Sequence, residues 1–319
     1  VSNRFPFPLP TGWFQVAYSD ELKPGDVVPL RYFERDLVLF RTESGVASLL
    51  DAHCPHLGAH LGHGGKVDGE SIACPFHDWR FGADGGCTSV PYANKQPRKS
   101  SVACWPLREV NGLLMTWHDT AGRAPFWEVP ELEEYGHEEW TEYVLRRWTI
   151  RTCNQEMAEN AVDKAHFHYL HGTREMPETK YAETHDHLLR TQSTTPMTTP
   201  MGDVDGLVTV DAYGFGFTTT RFTGLAETLL VNSVTPIENG LCDVRFAFSV
   251  RKTYGASVAR GIGKAFVAEV ERQLEQDIPI WENKVFLPRP VLCDGDGPIG
   301  LFRTWARQFY PSSEQLTAT

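Results

Sequence analysis

Asp51-Ala-His-Cys54-Pro-His56-Leu-Gly58-Ala-His-Leu-Gly62 and, further along, Cys74-Pro-Phe-His77-Asp-Trp79-Arg-Phe81 decide how this chain is read. Each stretch carries one Cys and one His in register. The first is Cys-x-His, the second Cys-x-x-His, and 17 residues separate His56 from Cys74. Two thiolates and two imidazoles make a four-ligand metal set. Gly58, Gly62, Gly64 and Gly65 fit the tight backbone turns such a set needs.

Zinc and a Rieske [2Fe–2S] centre compete for that set, beside packed loop residues with no metal. Zinc fingers group Cys with Cys and His with His. Here each loop mixes the two, with Pro after each Cys, which suits a cluster held between matching loops. In a Rieske centre both His bind one iron and both Cys the other, which raises the potential.

Composition frames the rest. The chain has 319 residues, 41% hydrophobic and 22% charged, an ordinary globular balance with room for two domains. Its net charge of −11 argues against nucleic-acid binding. No apolar run approaches the ~18 residues of a membrane span. The start lacks the basic-then-apolar pattern of a signal peptide. Seven irregularly spaced cysteines fit a reducing cytoplasm better than a disulfide framework. Cys87, Cys104, Cys153, Cys242 and Cys293 have no metal spacing and read as small buried hydrophobes.

The first third reads as short strands: 13–18, 36–41, 46–51 and 113–118. Residues 122–140 hold two Pro and six Glu and read as a crossover. Beyond it, 143–152, 207–213, 215–222, 228–234 and 242–250 read as strands. Residues 154–171 and 257–286 read as helices, the first stopped by Gly172. The expected architecture is α+β: an all-β domain over 1–120, a linker over 121–142, and a second domain over 143–319 with an antiparallel sheet.

A second constellation lies in Glu159-Asn160-Ala-Val-Asp163-Lys-Ala-His166-Phe-His168-Tyr-Leu-His171. Asp163 and His166 share a helix face. His166 and His171 are about 140° apart on an ideal helix, so both reach one metal only if the helix loosens or ends between them. Two His and a carboxylate make the facial triad of non-haem Fe(II). Asp277 falls in line with Val270, Leu274, Trp281 and Val285 on the long helix, where a lone carboxylate is costly unless paired or metal-bound. Glu275 and Glu282 are its rivals, and a surface position for Asp277 is the bland alternative.

The two cluster stretches resemble those of Rieske oxygenases, and more narrowly the 3-ketosteroid 9α-hydroxylase oxygenases and cholesterol 7-desaturases. The resemblance runs from Thr11-Gly-Trp-Phe to Trp305-Ala-Arg-Gln-Phe-Tyr310. It implies an N-terminal Rieske domain, with Cys54, His56, Cys74 and His77 holding the [2Fe–2S] cluster, and a helix-grip catalytic domain. It also implies mononuclear Fe(II) on His166, His171 and Asp277, with His168 skipped. Asp163 is then a carboxylate bridging an iron-bound His and a neighbouring subunit's cluster His. Asn160 sits one turn earlier beside the same pocket.

Further implications are a homotrimer, O2 as co-substrate, and mono- or dioxygenase chemistry on a bulky apolar small molecule, best a steroid-like polycycle. Aromatic, terpenoid and polyketide substrates stay open, as do desaturation and demethylation. Electrons come from a separate NAD(P)H-dependent reductase, or a ferredoxin plus reductase, since no dinucleotide-binding glycine motif is present. Lys95, Arg98 and Lys99 form a small basic patch, either a solvated loop or a site for an acidic donor. Phe215, Phe217, Phe222, Leu225, Leu229 and Val231 are candidate pocket or core residues. The competing function classes are a Rieske electron carrier and a zinc-stabilised binding protein.

Overall fold

The computed structural model describes residues 4–98, 100–199, 202–224 and 226–311. Lys99 and Leu225 therefore lie outside the described residues. The chain divides into two compact units. One holds Gln15–His118 with Ala124–Phe126; the other holds the remainder.

The first unit is strand and loop with one 3-10 turn at Ser19–Glu21. Its strands are β1 (Gly12–Tyr18), β2 (Val27–Tyr32), β3 (Arg35–Arg41), β4 (Ala47–Asp51), β5 (Lys66–Asp68), β6 (Ser71–Ala73), β7 (Arg80–Gly82), β8 (Cys87–Ser89), β9 (Cys104–Trp105), β10 (Leu107–Val110) and β11 (Leu113–His118). They form three sheets, ordered β2-β3-β4-β9, β5-β6-β7-β8 and β1-β11-β10. Val38, Phe40, Leu50, Ile72 and Phe81 make a core that includes Cys54 and Cys74.

The second unit contains β12 (Val144–Ile150), α1 (Asn154–Glu159), α2 (Ala165–Tyr169), β13 (Glu178–His185), β14 (Leu188–Thr199), β15 (Gly202–Tyr213), β16 (Phe217–Thr223), β17 (Thr228–Glu238), β18 (Leu241–Val250), α3 (Ala256–Asn283) and α4 (Ile299–Ala306). The strands form one antiparallel sheet in the order β12-β18-β17-β16-β15-β14-β13. α3 packs on it: Val267, Leu274 and Trp281 meet Leu230, Val234, Phe246 and Phe248. Each such buried side chain contributes roughly 1.5–3 kcal/mol of transfer free energy. The helix runs through Pro279 to Asn283.

The expected boundary at 120 shifts in one respect. The chain start packs with the second unit, where Phe7 stacks on Tyr310 at 4.9 Å and Thr11 N–H donates to the Phe309 carbonyl. From Trp127 on, the Pro- and Glu-rich crossover belongs to the same unit, tied down by buried Trp127, Val129 and Leu132 and by a bidentate Glu134–Arg221 pair. Two cysteines differ from expectation. Cys104, on the two-residue strand β9, and Cys293, in the loop before α4, are exposed rather than core residues.

The single helix expected over 154–171 is two short ones. The break follows from Asp163, whose Oδ1 accepts the Ala165 N–H at 3.0 Å. Asp side chains compete in this way with continuous helical bonding.

Candidate metal centres of a two-site enzyme

The two Cys-His loops adopt the same turn. Cys54 N–H donates to the Ala59 carbonyl, and Gly58 N–H to the Cys54 carbonyl. Cys74 N–H donates to Trp79 and Asp78 N–H to Cys74 in the same pattern. The fourth residue after each Cys is left-handed, Gly58 at φ 79 and Asp78 at φ 58. Gly adopts this conformation freely, and Asp tolerates it better than most residues.

The turns bury both thiols and leave both imidazoles half-buried. The His56 and His77 rings lie 4.6 Å apart. Trp79 stacks on His56 at 4.8 Å and 7°, and its indole N–H donates to the Tyr92 hydroxyl at 2.7 Å. Burial pushes the Cys54 thiol up to about 11, and the adjacent Cys74 adds to the rise. Two buried thiols side by side, with two imidazoles at the rim, are the donor set a Rieske cluster requires.

In the second unit His166, His171 and Asp277 bring one ligand atom each to within 4.8 Å of one another. The spacing problem is solved by ending the helix. α2 stops at Tyr169, and His171 N–H bonds back to the His166 carbonyl, five residues away. Gly172 follows at φ 76 as the left-handed stop. His171 is buried and its Nε2 lies 3.6 Å from Asp277 Oδ2. Burial opposes charge on His171, but Asp277 and Gln276 outweigh it and raise its pKa. The same field favours a bound cation.

Asp277 is buried while Glu275 is exposed. Glu282 instead accepts the Arg151 N–H. His168 turns away and bonds the Thr173 carbonyl through Nδ1. Asp163 Oδ2 stands 3.6 Å from His166 Nδ1, beyond hydrogen-bond length, and that buried nitrogen has no bonded partner. His166 nevertheless holds the Asp163 carboxyl below its usual range. Asn160 caps the end of α1, half-buried.

The helical layer covers one sheet face unevenly. Along β15–β17, Val210, Thr218, Thr220, Phe222 and Asn232 on that face are half-buried, while Ala212, Thr228 and Leu230 on the same face are buried. The half-buried stretch mixes the apolar Val210 and Phe222 with the polar Thr218, Thr220 and Asn232. Asn232 Oδ1 is buried there with no hydrogen-bond partner. Further along the sheet, a small cleft is lined by Asp163, Phe167, Pro177, Ala182, Thr191 and Pro298.

Of the candidate pocket residues, Phe222 lies on the face that α3 covers and meets Phe266 of that helix at 5.0 Å. Phe215 packs against Phe309, Trp305 and Tyr310 instead. Strand composition does not reveal face; register does, because side chains alternate. Asn232 and the Thr pair were therefore missed from sequence.

A β-domain with a Cys2His2 cluster site, followed in sequence by a sheet-and-helix unit with a two-histidine, one-carboxylate group, defines a Rieske non-haem iron oxygenase. The Rieske [2Fe-2S] domain family matches residues 12–106, and the 3-ketosteroid 9alpha-hydroxylase C-terminal domain family matches residues 116–310. The oxygenase component of a 3-ketosteroid-9-alpha-monooxygenase from Rhodococcus rhodochrous is 32% identical, over 96% of this chain and 82% of that protein. A cholesterol 7-desaturase from Ciona intestinalis is 30% identical, over 99% and 72%. Among solved structures, dicamba monooxygenase bound to 3,6-dichlorosalicylic acid has a TM-score of 0.77 at 18% identity, covering 97% of this chain and 98% of that one. The QL mutant of Pseudomonas putida CBB5 NdmA with theobromine has a TM-score of 0.75 at 19% identity, over 96% and 90%. The chain belongs to the 3-ketosteroid 9alpha-hydroxylase family of Rieske oxygenases, enzymes that carry a [2Fe–2S] cluster and a mononuclear iron. Among the described residues, no helix is long and apolar enough to cross a membrane.

Proposed function

We propose that this chain is the terminal oxygenase of a multicomponent system and inserts oxygen into a C–H bond of a steroid-like polycycle. The observation that carries the reading is the group of His166, His171 and Asp277, whose ligand atoms lie within 4.8 Å of one another, in a chain that also holds the two Cys-His loops. Names of relatives in two substrate branches, ketosteroid and cholesterol, support the same class.

In this reading Cys54, Cys74, His56 and His77 hold the cluster, and His166, His171 and Asp277 hold the iron. When bound, the cluster supplies single electrons and the iron supplies the site where O2 is reduced. The protein's own groups do the rest. Burial of both thiols keeps water from the thiolate side, while the half-buried imidazoles leave an edge for electron entry. Val210 and Phe222 exclude water from the substrate. Asn232 Oδ1 accepts a hydroxyl proton of the substrate, or the rotated amide donates to a ketone, so the ring system enters in one orientation. Asp163 sits at the helix break next to His166, placed to pass charge between the iron's ligand and a cluster histidine.

That cluster histidine belongs to a second copy in a homotrimer. Leu57, Phe76 and Tyr92, exposed apolar residues beside the cluster ligands, support such a covered edge. Electrons come from a separate reductase or ferredoxin, and the enzyme works in a reducing cytoplasm. The test is turnover with a surrogate reductase and 18O2 across ketosteroids and sterols. One 18O atom in the product supports monooxygenation. Two would make it a dioxygenase, and loss of two hydrogens without label would make it a desaturase.

A further inference from the structure

A chain of side chains outside the ligand set decides the protonation of one histidine. His171 Nδ1 lies 3.1 Å from Gln276 Oε1. The same Oε1 accepts Arg272 Nη1 at 2.9 Å, and Arg272 Nη2 bonds the His171 carbonyl at 3.1 Å. Glu269 holds the guanidinium in turn, at 2.9 Å through Nε and 2.6 Å through Nη2. A guanidinium only donates hydrogen bonds, so the amide must present oxygen to it. That oxygen can accept a second proton but cannot give one. The His171 nitrogen facing it must therefore be Nδ1–H. That leaves Nε2, 3.6 Å from Asp277 Oδ2, as the ring nitrogen that would supply a lone pair to a bound metal.

We infer that Gln276, locked by Arg272, is a positioning residue that fixes His171 as the Nδ1–H tautomer with Nε2 presented to iron. This rests on the reading of His166, His171 and Asp277 as the iron ligands. The partner is chemically distinct from that of His166, which faces a carboxylate. An amide oxygen already bonded to a guanidinium orients the ring without pulling its proton away, so His171 stays a neutral donor. Partners of this kind typically govern metal affinity 10- to 100-fold.

The experiment uses full-length protein stripped of mononuclear iron by a chelator, with the cluster retained. Fe(II) is titrated in anaerobically, and occupancy is read from the ferrous-nitrosyl EPR signal. The cluster's own EPR signal reports folding. Gln276→Met should weaken Fe(II) binding about 10- to 100-fold with the cluster signal unchanged. Gln276→Glu, which keeps an acceptor, should stay near the native affinity. Native affinity and an unchanged nitrosyl signal in Gln276→Met would overturn the inference. Should that variant lose its cluster, Arg272→Met is read instead in the Co(II)-loaded protein. There the hyperfine-shifted His171 Nδ1–H should exchange with D2O faster than in the native chain, and an unchanged rate overturns the inference. His171→Ala separates the two layers. Retained Fe(II) binding there removes the ligand reading itself, whereas lost binding with an inert Gln276→Met removes only the relay.

Discussion

His171 Nε2 and Asp277 Oδ2 face each other at 3.6 Å, one from the frayed end of α2 and the other from the buried stripe of α3. Burying the Asp277 carboxylate beside His171 is costly unless a cation is held between them. Asp277→Ala should therefore abolish mononuclear iron while the cluster's visible absorption persists. Iron per chain, measured beside the cluster spectrum, checks this. Full iron content in the variant would reassign the third ligand.

Gly297 packs against the segment that carries Asp163. A Cβ there would lie 1.7 Å from the Val162 carbonyl oxygen and 3.7 Å from the Asp163 Cα. Backbone cannot yield cheaply at such distances, so Gly297→Ala must shift the Asp163 turn or the loop before α4. We expect a loss of about 1–3 kcal/mol, typical of overpacking, and lower turnover at unchanged iron content. Urea unfolding and iron analysis of the same preparation measure both.

Asn232 leaves a buried oxygen unpaired on the face of β17 that α3 covers. Asn232→Leu removes that cost of about 1–3 kcal/mol in the free protein, so thermal stability should hold or rise. KM should rise for substrates with a ring hydroxyl or ketone and change little for those without one. Equal KM shifts across both sets would place the substrate elsewhere.

Burial would raise the Glu134 carboxyl, but Arg221's bidentate hydrogen bonds and charge outweigh it and hold its pKa below the usual value. A lowered folded pKa contributes stability above the unfolded value, about 4.3, and loses it as pH falls through the folded value. Glu134→Gln should therefore destabilise the protein at pH 7 and flatten its acid unfolding below about pH 4. Denaturation midpoints from pH 7 to pH 3 test the slope.

Much of this was legible in the residues themselves. The Cys-His loops declare their chemistry because metal ligation demands fixed residue types at close spacing. Strand 113–118 and the long helix follow from periodicity. The five-residue step from His166 to His171 required a broken helix, and α2 ends between them. The break between Glu159 and Ala165 was not legible, since it depends on Asp163 bonding the backbone ahead of it. Strands β13 and β14 escaped for a related reason: Glu178–His185 is largely polar and exposed, an edge strand whose pattern carries little apolar signal. The half-buried positions of β15–β17 escaped because they depend on which side of the sheet the helices cover.

The most direct measurement is the EPR spectrum of anaerobic, reduced protein with nitric oxide, repeated across a panel of ketosteroids and sterols. A ferrous-nitrosyl signal that changes shape with a steroid is the expected result, placing that substrate beside the iron. An intact cluster signal with no nitrosyl signal in iron-replete protein would contradict the oxygenase site and leave an electron carrier.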